Sequence, residues 1–377
     1  MTLMPSPDSA TPPDAAAWLT RAQSLEAEAT PDALAAAARA YECAITLLRA
    51  RPSADPALRR DLALAHLHHG NALQKLATPA SLPASVAAYD AVVALLASPD
   101  FAAEPAAQNT LGAAWINRGH ALHRQATPDT LAAAVDSHRA AIAVLAALPL
   151  HPSATTAPEA AFNHRLNLAG AWTNLATTLL DFGSAPGRYT AVRDATTQSL
   201  DLLALDDLPR AHPAAAELSL LARRTRCDAL GHLIFAVSDP ALARDLSDEA
   251  GDIVDDGLAL VRHWEQRGVP HFRPLAAHLY HFGAQLYRLH QPHFLAEFLL
   301  EHLDPAQSPG ASPDDRTLHA IADDAVATAL RTLRAPRLIH ADDPATHRQV
   351  ETLRALQAAE QSLAALRRAH LPDAPAA

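Results

Sequence analysis

The sequence predicts an all-α fold, an α-solenoid of stacked antiparallel helix pairs. Three observations predict it. Of the 377 residues, 89 are Ala and 57 are Leu, while aromatics make up 5%. Ala and Leu lose little side-chain freedom in a helix, and the residues that strands favour are sparse. One frame also recurs without gaps, as LALAHLHHGNALQKLATP from Leu62, LGAAWINRGHALHRQATP from Leu111 and LAAHLYHFGAQLYRLHQP from Leu275. Finally, the frame closes on Thr-Pro at Thr30-Pro31, Thr78-Pro79 and Thr127-Pro128, and on Gln291-Pro292. Thr is a good N-cap and Pro is favoured at the first helical position, so each pair ends one helix and opens another.

The elements follow in order. DAAAWLTRAQSLEAEATP from Asp14 and LAGAWTNLATTLLDFGS from Leu168 fit the same frame. Its fifth column reads Trp18, His66, Trp115, Trp172, Leu279, its ninth Ala22, Gly70, Gly119, Ala176, Gly283, and its twelfth Leu25, Leu73, Leu122, Leu179, Leu286. Columns four and three apart share one helix face. Three of the four tryptophans fall in one column, which reads as packing. A second helix repeats behind each Thr-Pro, from Tyr41 to Leu48, Tyr89 to Leu96 and His138 to Leu145, with Ser199-Leu200 and Leu202-Leu203 as a fourth copy.

The organisation expected is a disordered tail over 1–13, then an array over 14–312 with units starting near 14, 62, 111, 168, 214 and 275. The unit near 214 is inferred from the double-length gap between 168 and 275. Helices over 313–372 would cap the open apolar end, as terminal units must, the alternative being that the last helix pairs with a second chain, and 373–377 is a tail.

With Trp115, Gly119 and Leu122 on the first helix and Ala134, His138 and Ala141 on the second, the unit resembles the tetratricopeptide repeat (TPR) family. Trp172, Ala176 and Leu179 match likewise. The resemblance covers about 14–304 and implies stacked helix pairs whose first helices line a concave groove. Family units run about 34 residues, whereas these starts lie 48 to 57 apart between 14 and 168. Pro-rich connectors such as ARPSADPALRR, SPDFAAEPAAQ and LPLHPSATTAPEAA hold much of the excess. One subclass of the family grips a partner's C-terminal carboxylate with two Asn and three basic residues. Asn71 and Asn117 match its asparagines, but Leu67, Gly170 and Asn174 stand at the basic positions, so that clamp is not expected.

Composition narrows the function. The formal charge of −11, from 30 basic and 41 acidic residues, disfavours a nucleic-acid binder, which needs a basic stripe. The N-terminus has no apolar signal core and no run reaches the roughly 18 apolar residues of a membrane span. Cys43 and Cys227 form no motif and read as small buried apolar residues. A reducing, cytoplasmic setting without membrane contact is expected. No phosphate loop, nucleophile elbow or zinc helix occurs, so neither an enzyme nor a cofactor is expected. His278 with His281, and His293 with Glu297, have helical ligand spacing but lack further ligands, so no metal is expected. Asp248, Glu249, Asp252, Asp255 and Asp256 read as a solvated helix face.

Three polar columns of the first helix run beside the core columns. They hold His68, Asn117, Asn174 and His281; Asn71, His120 and Thr177; and Lys75, Arg124, Asp181 and Arg288. Stacking would merge them into one strip suited to an extended peptide or a partner helix. The function expected is a non-enzymatic protein-interaction scaffold with a protein or peptide partner. The alternative is a regulatory sensor holding a small ligand or short peptide inside the superhelix. The 263–302 stretch, with seven of the 17 aromatics, reads first as core filling where Ala cannot, and second as the candidate interface or pocket for that alternative.

Overall fold

The computed structural model describes residues 14–51, 55–153, 156–182 and 186–269, together with Phe272, Leu275, His278, Leu279 and Phe282. The expected tails, the C-terminal cap and most of the unit starting near 275 lie outside these residues. The described residues fall into two compact bodies, 14–182 with 197–203, and 186–196 with 204 onward. Both are all-helical, with no strand among the described residues.

The first body is a stack of helix pairs. They are α1 (Ala15–Ala27) with α2 (Pro31–Arg49), α3 (Pro56–Leu76) with α4 (Ser81–Leu96), and α5 (Pro105–His123) with α6 (Pro128–Leu145). Then comes α7 (Pro158–Asp181), and α8 (Pro186–Ala204) has its 197–203 stretch in this body. Each helix from α1 to α6 packs on the next in sequence. The first helices of successive pairs also meet, α3 with α5 and α5 with α7. This is the arrangement of an α-solenoid: each pair covers the apolar stripe its neighbour cannot bury alone.

The helix boundaries come from capping chemistry. Pro31, Pro56, Pro105, Pro128 and Pro158 each open a helix, where their missing N–H costs nothing. The Thr30 hydroxyl accepts the Ala33 N–H at 3.2 Å, and Thr127 and Thr130 form a reciprocal capping box. The Thr78-Pro79 turn differs from expectation. There α4 begins at Ser81, and Thr78 and Ser81 exchange side-chain bonds of 2.8 and 3.0 Å with each other's backbone N–H. Each of the three turns places an alanine in the left-handed region: Ala29 at φ 53°, Ala77 at 54° and Ala126 at 54°. Glycine usually takes that position.

The small column works as its spacing suggests. A Cβ on Gly70 would stand 2.6 Å from Tyr89 Cε1, and one on Gly119 would strike the His138 ring. Ala22 and Tyr41 share one core cluster in the first pair. The tryptophans of the fifth column are half-buried. Trp115 packs on the core clusters at both of its neighbouring seams, and the Arg118 guanidinium lies 5.5 Å over its ring. Cys43 departs from expectation: it is exposed, because the buried face of α2 runs through Tyr41, Ala44, Ile45 and Leu48 and misses it.

In the second body, α9 (Leu208–Ala211), α10 (Pro213–Ala236) and α11 (Pro240–Glu265) pack together. Leu220, Cys227, Leu230, Ala250 and Val254 form its interior, and burial pushes the Cys227 thiol well above its ordinary range. Glu249 was expected on a solvated face. Instead its carboxylate binds Arg226 at 2.7 Å and Arg193 at 2.5 Å, while Asp248, Asp252, Asp255 and Asp256 are exposed. The described aromatics of the 263–302 stretch are partly core. Trp264 and Phe272 are buried edge to face, and the Trp264 Nε1–H donates to the Pro209 carbonyl at 2.8 Å. Phe282 packs on the Leu230 and Ile234 cluster.

Candidate functional site

The polar strip lies on the first helices of the first body, and the structure shows what most of its residues touch. Three ties repeat at one register, from the thirteenth frame column of one pair to the fourteenth of the next. Glu26 meets Lys75 at 2.7 Å, the Gln74 carbonyl accepts from Arg124 Nη1 at 3.0 Å, and His123 Nε2 meets Asp181 Oδ2 at 2.7 Å. The helices run parallel with a constant offset, so the same columns meet at every seam.

Between α3 and α5 the ties grow into a network. The Asn117 amide donates to Asn71 Oδ1 at 2.9 Å, and Gln74 Nε2 meets His120 Nδ1 at 2.8 Å. With the amide nitrogen as donor, His120 carries its proton on Nε2. The Tyr89 hydroxyl donates to Gln74 Oε1 at 2.7 Å and also lies 3.0 Å from Asn71 Oδ1. Burial drives the Tyr89 phenol pKa far up, so it stays a donor. Tyr41 in the first pair is likewise pushed up by burial and by its bond to Glu26 at 2.9 Å.

The strip residues are therefore placed as follows. Asn71, Asn117 and His120 sit together in the α3–α5 network. Lys75, Arg124 and Asp181 each hold a neighbouring pair. His68 stacks on the Tyr41 ring at 5.9 Å between centroids. Thr177 donates to the Thr173 carbonyl of its own helix at 3.0 Å. Asn174 is half-buried on the same face. His281 and Arg288 lie outside the described residues. The partners Glu26, Gln74 and His123 carry no motif of their own. Their signal is that they lie one column before the fourteenth, and only the offset between neighbouring helices reveals it.

One seam is open. Between α1, the end of α2 and α3 lies a cleft of about 550 Å³. Leu19, Leu47, Leu48, Leu64 and Ala65 make its apolar lining, and Leu47 and Leu64 are 41% and 42% exposed. Asp14, Arg51 and Asp61 stand at one end, Gln23 and His68 at the other. Asp61 and His68 are seven residues apart on α3, about 10 Å along the axis. The side chains of Gln23, Arg51 and Asp61 have no hydrogen bond or ion pair among the described residues.

The equivalent seam between α3 and α5 is filled. Phe101, from the connector after α4, is fully buried among Ala63, Val92, Leu96, Ala107, Leu111 and Ala114. Arg59 lies 4.9 Å over its ring and binds the adjacent Asp100 at 2.6 Å. At the α5–α7 seam the connector contributes Leu148 and Leu150 to the core. Among the described residues no group of three His, Cys, Asp or Glu stands where it could hold a metal. His278 meets Asp228 Oδ1 at 3.0 Å. No described helix is long and apolar enough to cross a membrane.

No family model matches the chain, and neither does any curated protein. Among solved structures it is similar to a circular tandem repeat protein with novel repeat topology and enhanced subunit contact surfaces. The match has 13% identity and a TM-score of 0.26, over 94% of this chain and 76% of that chain.

Proposed function

We propose that the chain is a non-enzymatic, TPR-like scaffold that holds a peptide or partner helix along the first-helix face of its first body. The observation that carries this reading is the register of that face. The polar columns of α3, α5 and α7 line up across successive pairs, with Lys75, His120, Arg124 and Asp181 all exposed. They present one continuous row of charged and hydrogen-bonding groups, which suits recognition of an extended or helical segment. The ties between pairs hold that row rigid, and a rigid surface loses less side-chain freedom when a partner binds. The TPR likeness rests on the tryptophan, small and leucine columns, and on the small column meeting Tyr89 and His138 across the pair.

The test is capture by the tagged full chain, identified by mass spectrometry, against a Lys75→Glu, Arg124→Glu double variant checked for unchanged helicity. Distinct proteins held by the parent and lost by the variant support the reading. Recovery of nothing but the chain itself sinks it.

A further inference from the structure

We propose that the cleft between α1 and α3 receives one large apolar side chain, Phe or Leu in kind, from a partner polypeptide with a basic residue beside it. This names the anchoring contact of the scaffold reading above and rests on that reading. The molecule itself shows what such a seam takes. Ala63, Leu96 and Ala114 surround Phe101 at the α3–α5 seam. The residues at the same frame positions one pair earlier are Ala15, Leu48 and Ala65, and all three line the cleft. The plug is what differs. Phe101 stands three residues before the N-cap Glu104, and the residue three before the N-cap Asp55 is Pro52. The connector between α2 and α3 reads Arg-Pro-Ser-Ala-Asp and offers no large apolar side chain. Leu58 takes the place of Ala107 and closes the base of the seam with Ile45 and Leu48, but Leu47 and Leu64 remain exposed above it.

Charge sets the flank of the occupant. At the filled seam, Arg59 and Arg60 grip the acidic connector through Asp100 and Glu104. The matching positions before α1 are Thr11 and Pro12, which carry no charge. The near end of the cleft instead has Asp14 and Asp61 against Arg51, a net negative rim. A cation beside the anchor complements it, chiefly through on-rate and choice of partner. At about 550 Å³ the cleft falls within the roughly 300–1,000 Å³ range of ligand sites.

The experiment is a ¹⁹F-NMR titration of the full chain with a Gly/Ser octapeptide carrying one 4-fluoro-Phe followed by Arg. The expected result is saturable binding, at least tenfold weaker for Leu64→Gln, and several-fold weaker and less salt-dependent for Asp61→Asn. A version with Glu in place of Arg should bind several-fold more weakly. Pro52→Phe should supply the plug in cis, abolish binding and raise Tm. If Pro52→Phe fails to fold, the Leu64→Gln comparison decides alone. Equal binding to the parent and Leu64→Gln, or no binding to the parent, overturns the proposal. So does binding that emerges only after residues 1–13 are deleted, since the chain's own Leu3 or Met4 would then be the occupant. Partner capture by the full chain without peptide binding leaves the scaffold reading standing and removes only this anchor.

Discussion

The seams on either side of α3 use the same frame columns and end differently. Toward α5, Asn71, Gln74, Tyr89, Asn117 and His120 close the polar side, and Phe101 fills the apolar side. Toward α1, Gln23 and His68 stand where Asn71 and Asn117 would, without a bond between them, and no plug is present among the described residues. Repetition of the frame secures the stacking of helices. Whether a seam is solid or hollow is decided by the connector and by a few polar identities.

Removing the plug should break this contrast most strongly. Phe101→Ala is expected to cost about 3–5 kcal/mol, as large aromatic deletions in a core do, with a second hollow at the α3–α5 seam. Urea denaturation measures the loss, and a change under 1 kcal/mol would mean that the seam does not depend on Phe101.

Acid should come next, through the residues that vary within columns. Burial, then Arg49 and His69, holds the His66 pKa down at about 4. Burial, then His123 and His120, holds His138 down at about 3, and neither ring nitrogen of His138 has a hydrogen-bond partner among the described residues. Both values lie below the unfolded value near 6.5. The unfolded chain therefore takes up protons first. The stability is fully present above about pH 6.5 and is lost as pH falls toward the folded values. Each imidazole should remove up to about 1.4 kcal/mol per pH unit, near 2 kcal/mol by pH 5. His138→Tyr, which restores the residue found at Tyr41 and Tyr89, should flatten the profile. An unchanged slope would clear His138 of the effect.

A smaller difference separates the polar sides. Gln74→Ala strips partners from Tyr89 and His120 and should cost about 1–3 kcal/mol, whereas Gln23→Ala at the open seam should stay within about 0.5 kcal/mol. Equal losses would erase the contrast between the seams. The smallest effect is a gain. Ala77→Gly, at φ 54°, relieves left-handed strain and should stabilise by about 0.5–1 kcal/mol after the added chain entropy is offset. Destabilisation there would show that the Ala-Thr-Pro turn relies on the methyl group.

Much of this was legible in the sequence. The frame marks the first helices, the Thr-Pro pairs mark the turns, and the small column marks where Tyr89 and His138 approach. The strip was legible as a row of polar residues. Its bonding was not, because the partners Glu26, Gln74 and His123 become neighbours only through the offset between successive helices. The plug was also missed. Phe101 lies in a stretch that reads as Pro-rich connector, yet a lone Phe in an aromatic-poor chain was a signal of burial. Glu249 read as one more solvated acid, since the sequence does not show that Arg193 and Arg226 converge on it.

The register ties also set the order in which pairs can follow one another. Each pair offers one group forward and one group back: Glu26 to Lys75, the Gln74 carbonyl to Arg124, His123 to Asp181. Excising 62–110 would bring Glu26 opposite Arg124, still an acid facing a base. Duplicating 111–167 would bring His123 opposite Arg124, where the guanidinium would meet a backbone carbonyl as it meets that of Gln74, but no acidic side chain. The two side-chain ties, Glu26 to Lys75 and His123 to Asp181, thus discriminate between neighbours, while the backbone tie at Gln74 would accept any residue in its column.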